Sequence, residues 1–165
     1  MAWQLPANAP KNTNEAFAYV SGLSKGATLD DIKILALTEA LGKELYFDLA
    51  GRAEDPRVKE MLRANGRDEY THAERACEAL KILTGESYVL PSISENPLYS
   101  PISPMPLTKA ALGALAEAEL AGEDLYAGIA GSFDNAEVKA LFALSGREEI
   151  EHGHRLQQVA ELLPE

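Results

Sequence analysis

Residues 39–75 and 119–155, aligned at a fixed offset of 80 with no gap, are identical at 13 of 37 positions, where composition alone would match about two or three. A chain of 165 residues that repeats itself this extensively is built from two copies of one supersecondary unit. The matches include Glu39/Glu119, Gly42/Gly122, Leu45/Leu125, Tyr46/Tyr126, Gly66/Gly146, Arg67/Arg147, Glu69/Glu149 and His72/His152. Within them one phrase is written twice, "GRDEYTHAER" at 66–75 and "GREEIEHGHR" at 146–155. Duplication followed by retention of packing residues explains the paired Leu and Gly. It does not explain paired Glu and His.

The period of 3.6 residues predicts four long helices, roughly 30–52, 55–83, 108–132 and 135–163. Thr28 with Asp31 suits a capping box, Asp55 before Pro56 suits an N-cap with proline at the first helical position, and Asn135 suits a third cap. The helices pair through short turns into antiparallel hairpins over about 30–83 and 108–163. Between the hairpins, "TGESYVLPSISENPLYSPISPMPLT" holds five prolines, which forbid a regular helix but allow an extended strap of ~3 Å per residue. Two isolated hairpins would each have too little core, so a domain boundary in this strap is disfavoured. The expected fold is therefore an all-α four-helix bundle of two hairpins joined by a long crossover over 84–107, one domain spanning 1–165. Residues 12–26 predict a further short helix of no evident function.

On these helices Glu39 sits in a stripe with Leu35, Gly42, Tyr46 and Leu49, and Glu69 in one with Leu62, Gly66, His72, Ala76 and Leu80. The second copy repeats the pattern, Glu119 among Leu112, Gly122, Tyr126 and Ile129, and Glu149 with His152 among Phe142, Gly146 and Leu156. Four carboxylates thus point into one core. A buried ion costs several kcal/mol even after relaxation, more in total than a marginally stable fold can lose. Something cationic has to offset them. Counted from the first turn, Glu39 and Glu69 lie at nearly equal depth, and Glu and His three apart share a helix face. Two hairpins then offer four Glu and two His, a ligand count for two carboxylate-bridged metal ions of the Fe or Mn type. His154 lies about 200° around the helix from His152 and is expected in solvent. Glu74, Glu148 and Glu151 are read as a solvated face, and Cys77 as a small core residue.

The formal charge of −11 disfavours nucleic acid and anionic membrane surfaces as partners. One cysteine allows neither an internal disulfide nor a cysteine metal knuckle. The opening "MAWQLPANAP" lacks a signal-peptide pattern, and no apolar run reaches membrane length, so the expected location is cytoplasmic.

In "EALGKELY" (39–46), "ELAGEDLY" (119–126), "DEYTHAE" (68–74) and "EEIEHGH" (148–154), the chain resembles rubrerythrin-type ferritin-like proteins over about 31–163. The resemblance implies a ferritin-like bundle in which Glu39 and Glu119 are terminal ligands, Glu69 and Glu149 bridge, and His72 and His152 complete two iron coordination spheres. It also implies that Tyr46 and Tyr126 act in catalysis beside those ligands, orienting their carboxylates. Two Fe ions, with Mn or a mixed pair as alternatives, would reduce hydrogen peroxide or O2. Electrons would come from an external donor such as rubredoxin, because the four-cysteine domain of full-length rubrerythrins has no counterpart here, and a homodimer is expected. The additional Glu that rubrerythrins carry one turn after the third-helix ligand is Gly122 in this chain, with Glu123 next to it as a further candidate ligand. Iron handling of the bacterioferritin kind and a dimanganese catalase are the alternative functions.

Overall fold

Capping chemistry sets most of the helix starts. The structure, a computed structural model, describes residues 3–164; Met1, Ala2 and Glu165 lie outside the described residues. Among the described residues the chain is all-helical: α1 Thr13–Val20, α2 Leu29–Arg52, α3 Pro56–Thr84, α4 Lys109–Leu120, α5 Gly122–Gly131 and α6 Ala136–Leu162, with short 3-10 turns at Leu23–Lys25 and Ile93–Glu95. Thr28 and Asp31 form the capping box of α2, Asp55 accepts from the Arg57 N–H before α3, and Asn135 accepts from the Glu137 and Val138 N–H groups at 3.0 Å before α6. Gly85 ends α3 at φ 77°, a left-handed conformation that glycine adopts without steric cost.

α2 packs against α3, α4 and α5 against α6, and α3 against α6. Contacts between α3 and α6 pair Arg75 with Ser145, His72 with Glu148 and Asn65 with Arg155, so these two helices run antiparallel. The two hairpin turns therefore lie at opposite ends, and the crossover has to travel the length of the molecule. It is pinned along the way. Leu98 is fully buried, Asn96 Nδ2 donates to Leu37 O at 2.9 Å, and Thr13 Oγ1 donates to Ser100 O at 2.9 Å. The short N-terminal helix thus acts structurally, covering the outer face of α2 together with the strap. This explains why every α2 residue from Ile34 to Gly42 is buried, an all-round burial that an amphipathic reading of that helix does not show.

The third predicted helix differs from expectation. It is interrupted at Ala121, shortly after Glu119, where the Ala121 N–H faces both Glu117 O and Glu119 O. The equivalent Gly42 in α2 leaves its helix unbroken. α2 is held straight on all sides there, whereas Glu117, Ala118 and Ala121 face solvent, so the low helix propensity of Gly122 is not overruled by packing.

Two apolar layers result. One contains Ile32, Leu35, Leu80, Ile129 and Phe142, the other Leu49, Val58, Leu62, Leu112 and Leu156. The repeated polar residues lie between them. No helix of the described residues is long and apolar enough to cross a membrane.

Candidate metal centre

Four helices each bring ligand-type side chains to this middle layer: Glu39 from α2, Glu69 and His72 from α3, Glu119 from α4, and Glu149 and His152 from α6. They form two overlapping groups. In Glu39, Glu69, His72 and Glu149, and again in Glu69, Glu119, Glu149 and His152, one potential ligand atom per residue lies within 4.8 Å of all the others. Glu69 and Glu149 belong to both groups. His152 Nδ1 stands 3.3 Å from Glu119 Oε2, 3.3 Å from Glu149 Oε2 and 3.4 Å from Glu69 Oε1. His72 Nδ1 stands 3.1 Å from Glu149 Oε1 and 3.9 Å from both Glu39 Oε2 and Glu69 Oε2.

Tyrosines cross between the halves. Tyr46 Oη of the first copy donates to Glu119 Oε1 at 2.6 Å, and Tyr126 Oη of the second donates to Glu39 Oε1 at 3.0 Å. Burial and the facing carboxylates push both phenols well above their ordinary pKa, which keeps them as donors.

Behind each histidine stands an acid and behind each acid an arginine, again exchanged between copies. Glu148 Oε2 accepts from His72 Nε2 at 2.9 Å and is clamped by Arg75 Nη1 and Nη2 at 2.5 and 2.9 Å. Asp68 Oδ2 lies 3.4 Å from His152 Nε2 and accepts from Arg155 Nη1 at 2.7 Å. Burial alone would raise these two acids, but their histidine and arginine partners hold both down at about 2. An ionised carboxylate only accepts, so the proton of a neutral His72 is directed to Nε2 and its Nδ1 lone pair toward the cluster, whereas His152 Nε2 makes no hydrogen bond and its Nδ1 lies 3.3 Å from Glu119 Oε2. The sequence places Glu148 on a solvated face, and the structure corrects this: the side chain is partly buried and bonded across to α3, a contact no single-helix wheel can display. Asp68, Arg75 and Arg155 are further residues beside the cluster that the sequence alone does not single out. Their signal is present in the doubled Gly-Arg-acid-Glu-x-x-His-x-x-Arg phrase, whose acid and final Arg recur with the ligands.

The other sequence candidates lie elsewhere. Glu123 is exposed and outside both groups, while Lys43, its counterpart, lies over the Tyr70 ring at 4.8 Å. His154, Glu74 and Glu151 are exposed. Cys77 is buried, and burial pushes its thiol up to about 12, which makes it unreactive.

No protein-family model, curated protein or solved structure matches the chain. What the centre can hold therefore rests on its own chemistry. The side chains of Glu39, Glu69, Glu119 and Glu149 are only 10%, 7%, 12% and 7% exposed, and those of both histidines 0%. Burial, reinforced by the neighbouring carboxylates, raises Glu39 well above its usual range and also raises Glu69 and Glu149. Glu119 is held low against burial by His152, Glu149 and Tyr46. Against the desolvation that would lower it, His72 is pushed up to about 10 by Glu148 and Glu149, and His152 is raised further by Asp68 and Glu119.

With all four carboxylates ionised, two imidazolium ions would leave two negative charges uncompensated, and this crowding of buried charge is what raises Glu39, Glu69 and Glu149. Two divalent ions would neutralise all four. His72 Nδ1 also makes no hydrogen bond although it faces three carboxylates, leaving a buried nitrogen directed at a position a cation would fill. The donor set, oxygen-rich with one imidazole per group, fits a metal ion in each group.

Proposed function

We propose that this cluster is the two-metal centre of a ferritin-like, rubrerythrin-type oxidoreductase that reduces hydrogen peroxide or O2 with electrons from an external donor such as rubredoxin. The observation supporting this reading is the pair of ligand groups joined through Glu69 and Glu149. Two iron ions, or manganese in their place, would supply both electrons to one small oxidant without a one-electron radical step.

The chain's own residues have distinct parts. Glu39 would help to hold one ion and Glu119 the other, while Glu69 and Glu149, common to the two groups, would help to hold both. His72 and His152 present Nδ1, while Glu148 bonds the opposite nitrogen of His72 and Asp68 stands 3.4 Å from that of His152. Tyr46 and Tyr126 hold Glu119 and Glu39 by one oxygen, and the other oxygen of each is turned toward the histidine of its own group. Glu119 is the most exposed member of the cluster, at 12%, and the histidines the least. Bulk water is largely excluded by the apolar layers above and below.

The reading is tested by loading the protein anaerobically with Fe(II) and mixing it with substoichiometric hydrogen peroxide. Reduction of peroxide to two waters takes two electrons and two protons, so each peroxide consumed should oxidise two irons within one chain. Oxidation of bound iron no faster than free Fe(II), or a yield of one iron per peroxide, would contradict it.

A further inference from the structure

Gly42 and Gly122 occupy equivalent places in the two copies, three residues after Glu39 and Glu119. A glycine in such helical backbone costs ~1 kcal/mol relative to alanine. Neither has the positive φ that would call for glycine, unlike Gly26 and Gly85. What they share is a neighbour. A Cβ built on Gly122 would lie 2.5 Å from Glu149 Cγ and 2.7 Å from Glu149 Cβ. One built on Gly42 would lie 3.1 Å from Glu69 Oε2 and 3.2 Å from Glu69 Cδ. In both copies the nearest atoms belong to a carboxylate side chain common to the two ligand groups. Other close-packed glycines differ: Gly66 would meet Phe47 and Tyr46, and Gly153 would meet Leu120.

We infer that Gly42 and Gly122 are positioning residues that seat the shared carboxylates, the bare backbone of α2 and α5 forming the wall against which Glu69 and Glu149 rest. The inference builds on the two-metal reading. A glutamate that serves two ions must present one oxygen to each, yet its side chain has three rotatable bonds. Backbone contact at the stem or the carboxyl carbon removes rotamers that would turn both oxygens toward one ion. A methyl group in the same place pushes the stem away and shifts both oxygens together, so a single added carbon weakens both groups. The closer approach at Gly122 makes Gly122→Ala the more severe change and Gly42→Ala the milder one.

The test is anaerobic Co(II) titration of wild type, Gly42→Ala, Gly122→Ala and, as a helical glycine away from the cluster, Gly113→Ala, with Co(II) visible absorption and melting of each metal-free protein. Wild type should take up two ions per chain. Gly122→Ala should weaken both steps by about 10–100-fold and change the Co(II) spectrum, as disturbed ligand support does. Gly42→Ala should do the same to a smaller extent. Gly113→Ala, whose added carbon meets nothing within 4 Å, should retain both affinities and the spectrum whatever it does to melting. If Gly122→Ala does not fold, Gly42→Ala decides, since its added carbon meets the movable end of a side chain. Wild-type affinities and spectrum in Gly42→Ala and Gly122→Ala, or losses no larger than in Gly113→Ala, would overturn the inference and leave the metal centre standing. Failure of the wild type to bind two ions would overturn both.

Discussion

Glu148 shows what one residue can do without touching the reacting atoms. It joins His72 of α3 to Arg75, while Asp68, bonded by Arg155, stands 3.4 Å from His152 Nε2. Glu148→Gln should free the imidazole to turn or change tautomer, weakening the metal group containing His72 by about 10–100-fold while the group containing His152 keeps its affinity. Stepwise Fe(II) titration checks this, and equal loss at both steps would contradict it. In the metal-free form, His72 titrates at about 10 when folded against 6.5 when unfolded. Its contribution to stability is therefore complete below pH 6.5 and lost as pH rises through about 10. The raised Glu39 acts in the same direction, since its charged form is the one disfavoured by folding. Melting of the chelated protein should fall from pH 6.5 toward 10, and a flat or rising profile would be contrary. The six repeated ligand positions were legible because identity at one offset singled them out. The acids behind them were not, since Asp68 and Glu148 differ in type and their partners stand on another helix.

Helix boundaries follow local chemistry and were legible to within a few residues. A cap acts on the N–H groups two or three positions ahead, all visible in a short stretch of sequence. Asn135 accepts from two backbone groups at once, so Asn135→Ala should cost about 1 kcal/mol and lower melting by about 2–4 °C. Melting unchanged by that substitution would show that α6 begins without its cap. The break at Ala121 was not legible in the same way. Gly42 and Gly122 present the same local signal, and only the presence of α1 and the strap over α2, against solvent over α4, separates their outcomes. Likewise the 12–26 segment had no readable purpose until Thr13 and Ser100 tied it to the crossover.

At the scale of the molecule, two apolar layers enclose four carboxylates and two imidazoles that fall into two overlapping groups. Antiparallel hairpins and a long crossover could be derived from repeat, turns and prolines, because each is a matter of chain length and connection. The exchange of tyrosines, acids and arginines between copies could not, as it depends on how α3 and α6 face one another. Metal binding should therefore be strongly coupled to stability. Each independent ion present at 100 times its Kd adds about 2.7 kcal/mol, so chelation should lower melting by several degrees. The measurement that bears most directly on the centre is stepwise anaerobic Fe(II) binding to wild type, Glu39→Gln and Glu69→Gln. Two ions should bind per wild-type chain, with Glu39→Gln weakening one step and Glu69→Gln both. Fewer than two ions in the wild type, or the same effect from both variants, would contradict a centre built on shared carboxylates.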